Sequence, residues 1–250
     1  MGRGMIYSSF AKLYDDLFDE QMYVDWQQFV EKHISKTTSS VLDLAGGAGR
    51  LAVLLAKTGL DMTVADLSSE MLSLARQHAE DANCTVDLQQ VNMLDLSDMG
   101  QFDAVTCFAD SFCYLDNLDE VTLAFKQVKA HLNDAGVFLF DVITPYQTDT
   151  IYPGYMYNYE SENQDTAFLW RSFGDSECEH GVVHELTFFN QLPNQDVYER
   201  LAEEHYERTY ELKQYLQALK KAGFNQIEVS ADFGRSEIGS TTTRWFFVVR

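Results

Sequence analysis

The sequence of 250 residues has little proline, few basic residues and no long hydrophobic run. Its 3 prolines and 14 glycines are too few for a collagen-like or low-complexity chain. Its longest apolar segments, such as 136–142, are far shorter than the roughly 20 residues of a membrane-spanning helix. The first residues also lack the apolar core of a secretory signal. These absences predict a soluble, cytoplasmic protein that does not enter a membrane.

Cysteine pairs and positive charge are also scarce. The four cysteines form no Cys-x-x-Cys pair, which argues against a disulfide framework or a zinc site. No group of histidines, cysteines and aspartates has the spacing of metal ligands, so no metal is expected. The 18 basic and 39 acidic residues give a formal net charge of -21. Such a charge disfavours nucleic acid as a partner and is compatible with a neutral or cationic small molecule.

Apolar runs and helical periodicity alternate regularly through the first 150 residues. The predicted strands of this part are 41–44, 61–66, 85–91, 102–108 and 137–143. Helices are predicted between them, and the chain ends with a helix over 212–222 and strands that include 245–249. This alternation predicts an α/β fold with a doubly wound, Rossmann-like and mostly parallel sheet.

The pattern changes between about residues 155 and 210, where extended segments are separated by turn residues. The predicted strands here are 166–173, 182–192 and 197–210, which would form a small antiparallel sheet. We therefore expect residues 1–150 and 211–250 to form the main domain. Residues 151–210 would be an antiparallel β insertion that covers the substrate side.

A glycine-bearing segment, Asp43-Leu44-Ala45-Gly46-Gly47-Ala48-Gly49, joins the first predicted strand to the next helix. Glycine permits a tight turn and close approach of a ligand to the backbone, and the helix N-terminus offers free N–H groups. Dinucleotide sites share these features. The carboxylate of Asp43, however, would repel a pyrophosphate. It suits a cofactor that carries an ammonium group.

Two further positions fit an adenosine-containing cofactor. Asp66 ends the second predicted strand, where an acid can accept hydrogen bonds from both ribose hydroxyls. Asn92 and Met93 follow the third predicted strand, where they would line the adenine. Together with Asp43, these positions fit S-adenosylmethionine, which has an ammonium, a carboxylate and a sulfonium but no phosphate.

On these residues the sequence resembles the class I S-adenosylmethionine-dependent methyltransferases over most of its length. Residues 41–49 match the first motif of that family, with Ala45 in place of the first glycine. The resemblance implies an antiparallel last strand in the main sheet. It also implies that the loop backbone and Asp43 hold the methionine part, Asp66 the ribose and Asn92 the adenine amine. The residues of this region implied to contact the cofactor are Asp43, Ala45, Gly46, Gly47, Gly49, Asp66, Leu67, Met71, Asn92, Met93 and Phe108.

A narrower resemblance lies at the amino end. Residues 7–17 are similar to the opening segment of small bacterial methyltransferases of the glycine and sarcosine N-methyltransferase type. In those proteins the segment folds over the cofactor. Tyr7 and Tyr14 are therefore predicted to contact its carboxylate or sulfonium, and an aromatic ring beneath a cation contributes about 0.5–2 kcal/mol. Tyr14 is also a candidate catalytic residue.

Two more candidate catalytic residues come from other segments. Asp110 follows the fourth predicted strand, at the sheet edge where doubly wound folds bind ligands, and we expect it to orient or deprotonate the methyl acceptor. His205 lies in the predicted cover, where strand alternation puts it on the same face as Glu207. Methyl transfer from a sulfonium has a good leaving group, so alignment alone can supply much of the catalysis.

The sequence therefore predicts S-adenosylmethionine-dependent methyl transfer to a nitrogen or oxygen of a small molecule. A homodimer is among the compatible assemblies. Two alternatives stay open. A non-catalytic protein could bind S-adenosylmethionine while it acts on a protein or ribosomal partner. The glycine loop by itself also permits an NAD-dependent dehydrogenase.

Overall fold

Two sheets and five longer helices organise the chain in the computed structural model, which describes residues 20–193 and 195–250. The first sheet contains β1 (Ser40–Leu44), β2 (Asp61–Asp66), β3 (Asp87–Gln90), β4 (Phe102–Cys107), β5 (Leu132–Ile143), β10 (Ile227–Ser230) and β11 (Arg244–Val249). The second contains β6 (Met156–Glu160), β7 (Thr166–Gly174), β8 (Gly181–Gln191) and β9 (Tyr198–Arg208). The helices are α1 (Glu20–His33), α2 (Arg50–Ala56), α3 (Ser69–Asp81), α4 (Leu118–Ala130) and α5 (Leu212–Lys221). Short helical turns cover Ser111–Tyr114, Gln147–Ile151 and Asp232–Gly234.

The seven-stranded sheet has the order β10-β11-β5-β4-β1-β2-β3. Strands β1 to β5 pair in parallel, whereas β11 is antiparallel to both of its neighbours, β5 and β10. The predicted doubly wound sheet with an antiparallel last strand is therefore confirmed. The strand order reverses between β1 and β4, and in such folds a crevice for ligands opens at that point.

Helices cover both faces of this sheet, which explains why its central strands are continuously apolar. In β1, Val41, Leu42 and Leu44 are at most 1% exposed. Helices α1 and α2 pack on one face, and α4 and α5 pack on the other. Within the described residues, no helix is both long enough and apolar enough to cross a bilayer.

Strand β5 begins earlier than the sequence predicts. Residues 133–136 carry the composition of a turn, but Leu132 already pairs with Phe102 before Val137 pairs with Ala104. The intervening residues form a bulge opposite Asp103. The Nδ2 amide of Asn133, in that bulge, donates to the Asp103 carboxylate at 2.7 Å. The turn residues therefore bend the strand instead of ending it.

The second sheet is an antiparallel meander in the order β6-β7-β8-β9, which confirms the predicted antiparallel strands. Its apolar face contains the buried side chains of Phe168, Leu186, Phe188 and Leu201. Strand β6 is not among the predicted strands, because all of its residues are exposed and none marks a buried face. The assignment of 151–210 as a separate domain stays a prediction.

Candidate active site

A cavity of about 630 Å³ opens at the carboxyl ends of the parallel strands, where the strand order reverses. Its volume lies in the range of roughly 300–1,000 Å³ that is usual for small-molecule sites. The predicted site residues in its lining are Asp43, Ala45, Gly46, Gly47, Asp66, Leu67, Met71, Asn92, Met93, Phe108 and His205. The fold thus brings together side chains from the ends of four parallel strands and one residue of the second sheet.

The loop after β1 passes very close to the carboxylate of Asp43. A Cβ atom added to Gly46 would lie 2.7 Å from Oδ2 of Asp43 and 3.0 Å from its carbonyl oxygen. Only glycine fits at that distance, so Gly46 lets the loop fold over the acid. The adjacent residues Ala45 and Gly47 both have left-handed backbone angles, with φ of 54° and 53°.

We expect Gly46→Ala to destabilise the protein by about 1–3 kcal/mol, since the new methyl group must displace the Asp43 carboxylate or the loop. Urea unfolding monitored by circular dichroism measures this change. Gly100→Ala is the matched control, because a Cβ there meets nothing within 4 Å. A loss at position 46 no larger than that at position 100 would show that the close approach does not constrain the loop.

Asp43 is an acid in an apolar strand, only 3% exposed. Its Oδ1 accepts a hydrogen bond from the Thr106 hydroxyl at 2.7 Å. Burial raises the pKa of Asp43 to about 7, the nearby charge of Asp66 adds to the rise, and the Thr106 bond opposes it. A ligand cation beside Asp43 would favour its ionised form, so this wall of the cavity suits a positive group.

Asp66 joins the glycine loop to the end of β2. Its Oδ2 accepts from the backbone N–H of Gly47 at 2.8 Å, and its Oδ1 accepts from that of Ser68 at 2.9 Å. Burial raises the pKa of Asp66, while these backbone bonds act in the opposite direction. Each carboxylate oxygen has a second lone pair, so Asp66 can still accept bonds from a ligand in the cavity.

Apolar side chains and one amide line the end of the cavity beside β3. Leu67, Met71 and Met93 supply the apolar surface. Asn92 lies next to them, but its Oδ1 already accepts from the backbone N–H of Leu94 at 3.0 Å. Only the remaining lone pair of that oxygen is available for the predicted contact with an adenine amine.

Gly49 does not line the cavity, although the sequence places it among the cofactor-binding residues. It has φ of 69°, and an added Cβ would lie 2.9 Å from Cβ of Ala75 in α3. The third loop glycine therefore permits close packing of the start of α2 against α3. The structure thus gives Gly49 a packing role, and its contact with the cofactor stays a prediction.

Asp110 lies at the predicted sheet edge, directly after β4 and beside the cavity. Its neighbours Ala109 and Ser111 line the cavity, whereas Asp110 is 7% exposed and absent from the lining. Its carboxylate forms an ion pair with Arg244, and its backbone N–H donates to Oδ1 of Asp141 at 2.9 Å. The side chain is thus directed toward Arg244, and the expectation that it orients or deprotonates the acceptor stays a prediction.

The Asp110 pair belongs to a buried network that supports the cavity wall. Arg244 also lies 2.9 Å from Oδ1 of Asp141, whose Oδ2 accepts from the indole N–H of Trp26 at 2.9 Å. Burial raises the pKa of Asp141, and the charge of Arg244 opposes that rise. Trp26 stacks on Phe108 with centroids 5.7 Å apart, and both rings line the cavity. Sequence reasoning missed Arg244, Asp141 and Trp26, although an acid within the apolar run of β5 was the available signal.

His205 reaches the cavity from β9 of the second sheet. Its Nδ1 lies 3.4 Å from the Tyr114 hydroxyl, and its Nε2 lies 3.3 Å from Oε2 of Glu203. Burial lowers the pKa of His205, and the neighbouring His184 lowers it further. The imidazole is therefore neutral at neutral pH and can accept a proton. Neither Tyr114 nor Glu203 was a sequence candidate. Tyr7 and Tyr14 lie outside the described residues, so their roles stay predictions.

The fold and the site first define a class. A doubly wound sheet with acids at the ends of β1 and β2 around a strand-order reversal is an enzyme scaffold for an adenosine-containing cofactor. Comparison with known proteins then identifies the family within this class. A family described as a methyltransferase domain matches residues 41–136. A protein of Geobacillus sp. (strain WCH70), provisionally named a methyltransferase, is 38% identical over 98% of this chain and 100% of its own length.

Another relative, provisionally named methyltransferase YqeM of Bacillus subtilis (strain 168), is 35% identical over 97% of this chain and 96% of its own. The crystal structure of an S-adenosylmethionine-dependent methyltransferase from Clostridium acetobutylicum superimposes with a TM-score of 0.83 and 27% identity, over 98% of both chains. The chain belongs to the class I S-adenosylmethionine-dependent methyltransferases. It is an enzyme, and its cofactor is S-adenosylmethionine.

The narrower resemblance corresponds to a more distant relationship. A glycine/sarcosine N-methyltransferase of Halorhodospira halochloris is 28% identical over 136 residues, which span 53% of this chain and 51% of that protein. The family is thus confirmed, and the branch named by the amino-terminal segment is a weak relative.

Proposed function

We propose that the enzyme transfers the methyl group of S-adenosylmethionine to a nitrogen or oxygen atom of a small molecule bound in the same cavity. The position of His205 carries this proposal. It lines the cavity that also contains Asp43 and Asp66, and it belongs to β9 of the second sheet. A nitrogen or oxygen acceptor that arrives protonated must lose a proton on methylation, and a neutral imidazole is suited to take it.

The residues around the cavity fit the cofactor. We assign the ammonium group to the vicinity of Asp43, whose buried carboxylate gains a counter-charge there. The ribose hydroxyls are assigned to Asp66, whose oxygens retain lone pairs. The adenine is assigned to the apolar end formed by Leu67, Met71 and Met93. When bound, S-adenosylmethionine supplies an electrophilic methyl group whose leaving group is a neutral thioether.

The cavity also supports a small acceptor. Its volume of about 630 Å³ suits a cofactor with a compact second ligand, and its lining includes one residue of the second sheet, His205. The net charge of -21 disfavours a nucleic acid, since binding to phosphates depends on Lys and Arg. Catalysis then rests on alignment of acceptor and methyl group, which can supply up to roughly 7–11 kcal/mol.

A panel of amines, phenols, alcohols and carboxylates tests the proposal. Each compound is incubated with the enzyme and S-adenosylmethionine, and S-adenosylhomocysteine is quantified by mass spectrometry. We expect turnover with members of one acceptor class, with the methyl group on nitrogen or oxygen. Absence of S-adenosylhomocysteine with every class, together with intact cofactor binding, would instead support a non-catalytic role.

The pKa of Asp43 predicts a pH dependence of cofactor binding. In the free enzyme its pKa is raised to about 7, and a bound cation lowers it. Binding then releases a proton. Affinity rises as the pH increases toward 7 and falls by up to about tenfold per unit below it. Calorimetric titration with S-adenosylmethionine between about pH 5.5 and 7.5 measures this slope.

Asp43→Asn is the control for that titration. The amide keeps the size of the side chain and does not titrate, so the variant should bind more weakly and with a flatter pH profile. Wild-type affinity that is constant across the range would contradict the placement of a cofactor cation beside Asp43.

A further inference from the structure

A carboxylate, an imidazole and a hydroxyl follow one another along the wall of the cavity. Oε2 of Glu203 lies 3.3 Å from Nε2 of His205, and Nδ1 of the same ring lies 3.4 Å from the Tyr114 hydroxyl. Tyr114 and His205 both line the cavity, and their rings meet edge to face with centroids 5.9 Å apart. Glu203 lies behind the histidine, on the same face of β9, because alternate residues of a strand share a face.

This order favours a proton on one particular nitrogen of His205. The carboxylate of Glu203 accepts hydrogen bonds and does not donate them when ionised, so it favours a proton on Nε2. Nδ1 is then an acceptor and is directed at the Tyr114 hydroxyl, which can donate to it. The same logic orients the histidine in hydrolases that use a carboxylate, a histidine and a hydroxyl group.

We propose that Tyr114, His205 and Glu203 form a proton relay that deprotonates the methyl acceptor. In this relay Tyr114 contacts the acceptor, His205 takes up the proton at Nδ1, and Glu203 positions the ring. The relay rests on the proposed methyl transfer to nitrogen or oxygen. Tyr114 is its catalytic residue toward the acceptor, and Glu203 is a positioning residue that acts through His205.

The proton balance of the step is complete. As the bond between the acceptor atom and the methyl carbon forms and the carbon–sulfur bond breaks, the acceptor proton passes to the Tyr114 oxygen. The phenolic proton passes at the same time to Nδ1 of His205. The resulting imidazolium is stabilised by Glu203 and releases its proton to water. The Glu203 and His205 side chains are 31% and 20% exposed, so that exit is open.

The surroundings of His205 are compatible with this role. Within residues 20–193 and 195–250, its titratable neighbours include its cross-strand partner His184 in β8, Tyr114 of the short helical turn, and Glu203 and Glu207 of its own strand. Burial raises the pKa of Glu203 and lowers that of His205. These opposite shifts bring the two pKa values closer together, so a proton is shared between Glu203 and His205 more readily than between a free glutamate and a free histidine.

Nitrogen-15 NMR of histidine-labelled enzyme tests the relay without any acceptor. The spectra are recorded in complex with S-adenosylhomocysteine, and His205→Gln assigns the signal among the six histidines. We expect neutral His205 to be protonated on Nε2. Glu203→Gln should lower its pKa by removing the adjacent charge, and Tyr114→Phe should shift the Nδ1 signal. Glu204→Gln is the matched control, because Glu204 lies on the opposite face of β9 and bonds the exposed Tyr206.

Kinetics with the acceptor from the panel complete the test. Tyr114→Phe should reduce kcat about 100-fold with cofactor affinity within about twofold, as expected for a lost proton transfer. Tyr206→Phe, on the opposite face, should retain full activity. A proton on Nδ1 of neutral His205, or no change of its pKa in Glu203→Gln, would overturn the relay. Methyl transfer to nitrogen or oxygen could still occur in that case, so the two proposals fail separately.

Discussion

Replacing Arg244 with methionine should lower the free energy of unfolding by about 3–5 kcal/mol. Arg244 is the cation between the carboxylates of Asp110 and Asp141, and Asp141 is fully buried. Without it, two acids remain close together with little access to water. Urea unfolding at neutral pH measures the loss. Part of the stability should return as the pH is lowered, because protonation of the buried Asp141 carboxyl group, whose pKa burial raises, removes the repulsion.

Arg235→Met is the matched control for this prediction. Arg235 also pairs with two aspartates, Asp25 and Asp232, but its side chain is 49% exposed. Exposed pairs contribute only about 0–1 kcal/mol. If both variants lose the same stability, the buried Arg244 network supports the cavity wall no more than an exposed ion pair would.

Replacing Asp66 with alanine should weaken S-adenosylmethionine binding by more than about tenfold. The variant loses the acceptor assigned to the ribose hydroxyls, and a hydrogen bond to a charged group contributes about 1.5–3 kcal/mol. It also leaves the N–H groups of Gly47 and Ser68 without their carboxylate partner, which loosens the loop. Calorimetry measures the affinity, and thermal unfolding verifies that the variant is folded.

Asp61→Ala provides the comparison, since Asp61 is exposed at the opposite end of the same strand. That variant should bind the cofactor with wild-type affinity. Unchanged affinity in Asp66→Ala would show that the ribose assignment is wrong.

Most residues that the sequence predicts to contact the cofactor lie in the cavity lining, because the sequence signals for them are local. The buried run of β1, the glycines after it and the acid that ends β2 lie within a short stretch of chain, and each is identified by its immediate neighbours. The antiparallel last strand follows only from the family resemblance. Periodicity indicates that residues 245–249 are a strand but does not give its direction.

The remaining part of the cavity wall depends on contacts between residues that are far apart in the sequence. The orientation of Asp110 is determined by Arg244, which lies 134 positions away in the sequence. No local spacing pattern indicates that these two residues pair. Tyr114 and His205 are 91 positions apart and meet only because β9 packs beside the turn that follows β4. Gly49 illustrates the reverse case. Its position in the motif suggests a ligand contact, but the structure also shows that the lack of a side chain at Gly49 lets α2 pack closely against α3.

Equilibrium binding of labelled S-adenosylmethionine in competition with NAD distinguishes a sulfonium cofactor from a dinucleotide in this cavity. The acids Asp43 and Asp66 frame a cavity that suits a cationic nucleoside and would repel a pyrophosphate. We expect saturable binding of one S-adenosylmethionine per chain, displaced by S-adenosylhomocysteine and unaffected by excess NAD. Displacement by NAD, or binding that persists undiminished in Asp43→Asn and Asp66→Ala, would contradict it.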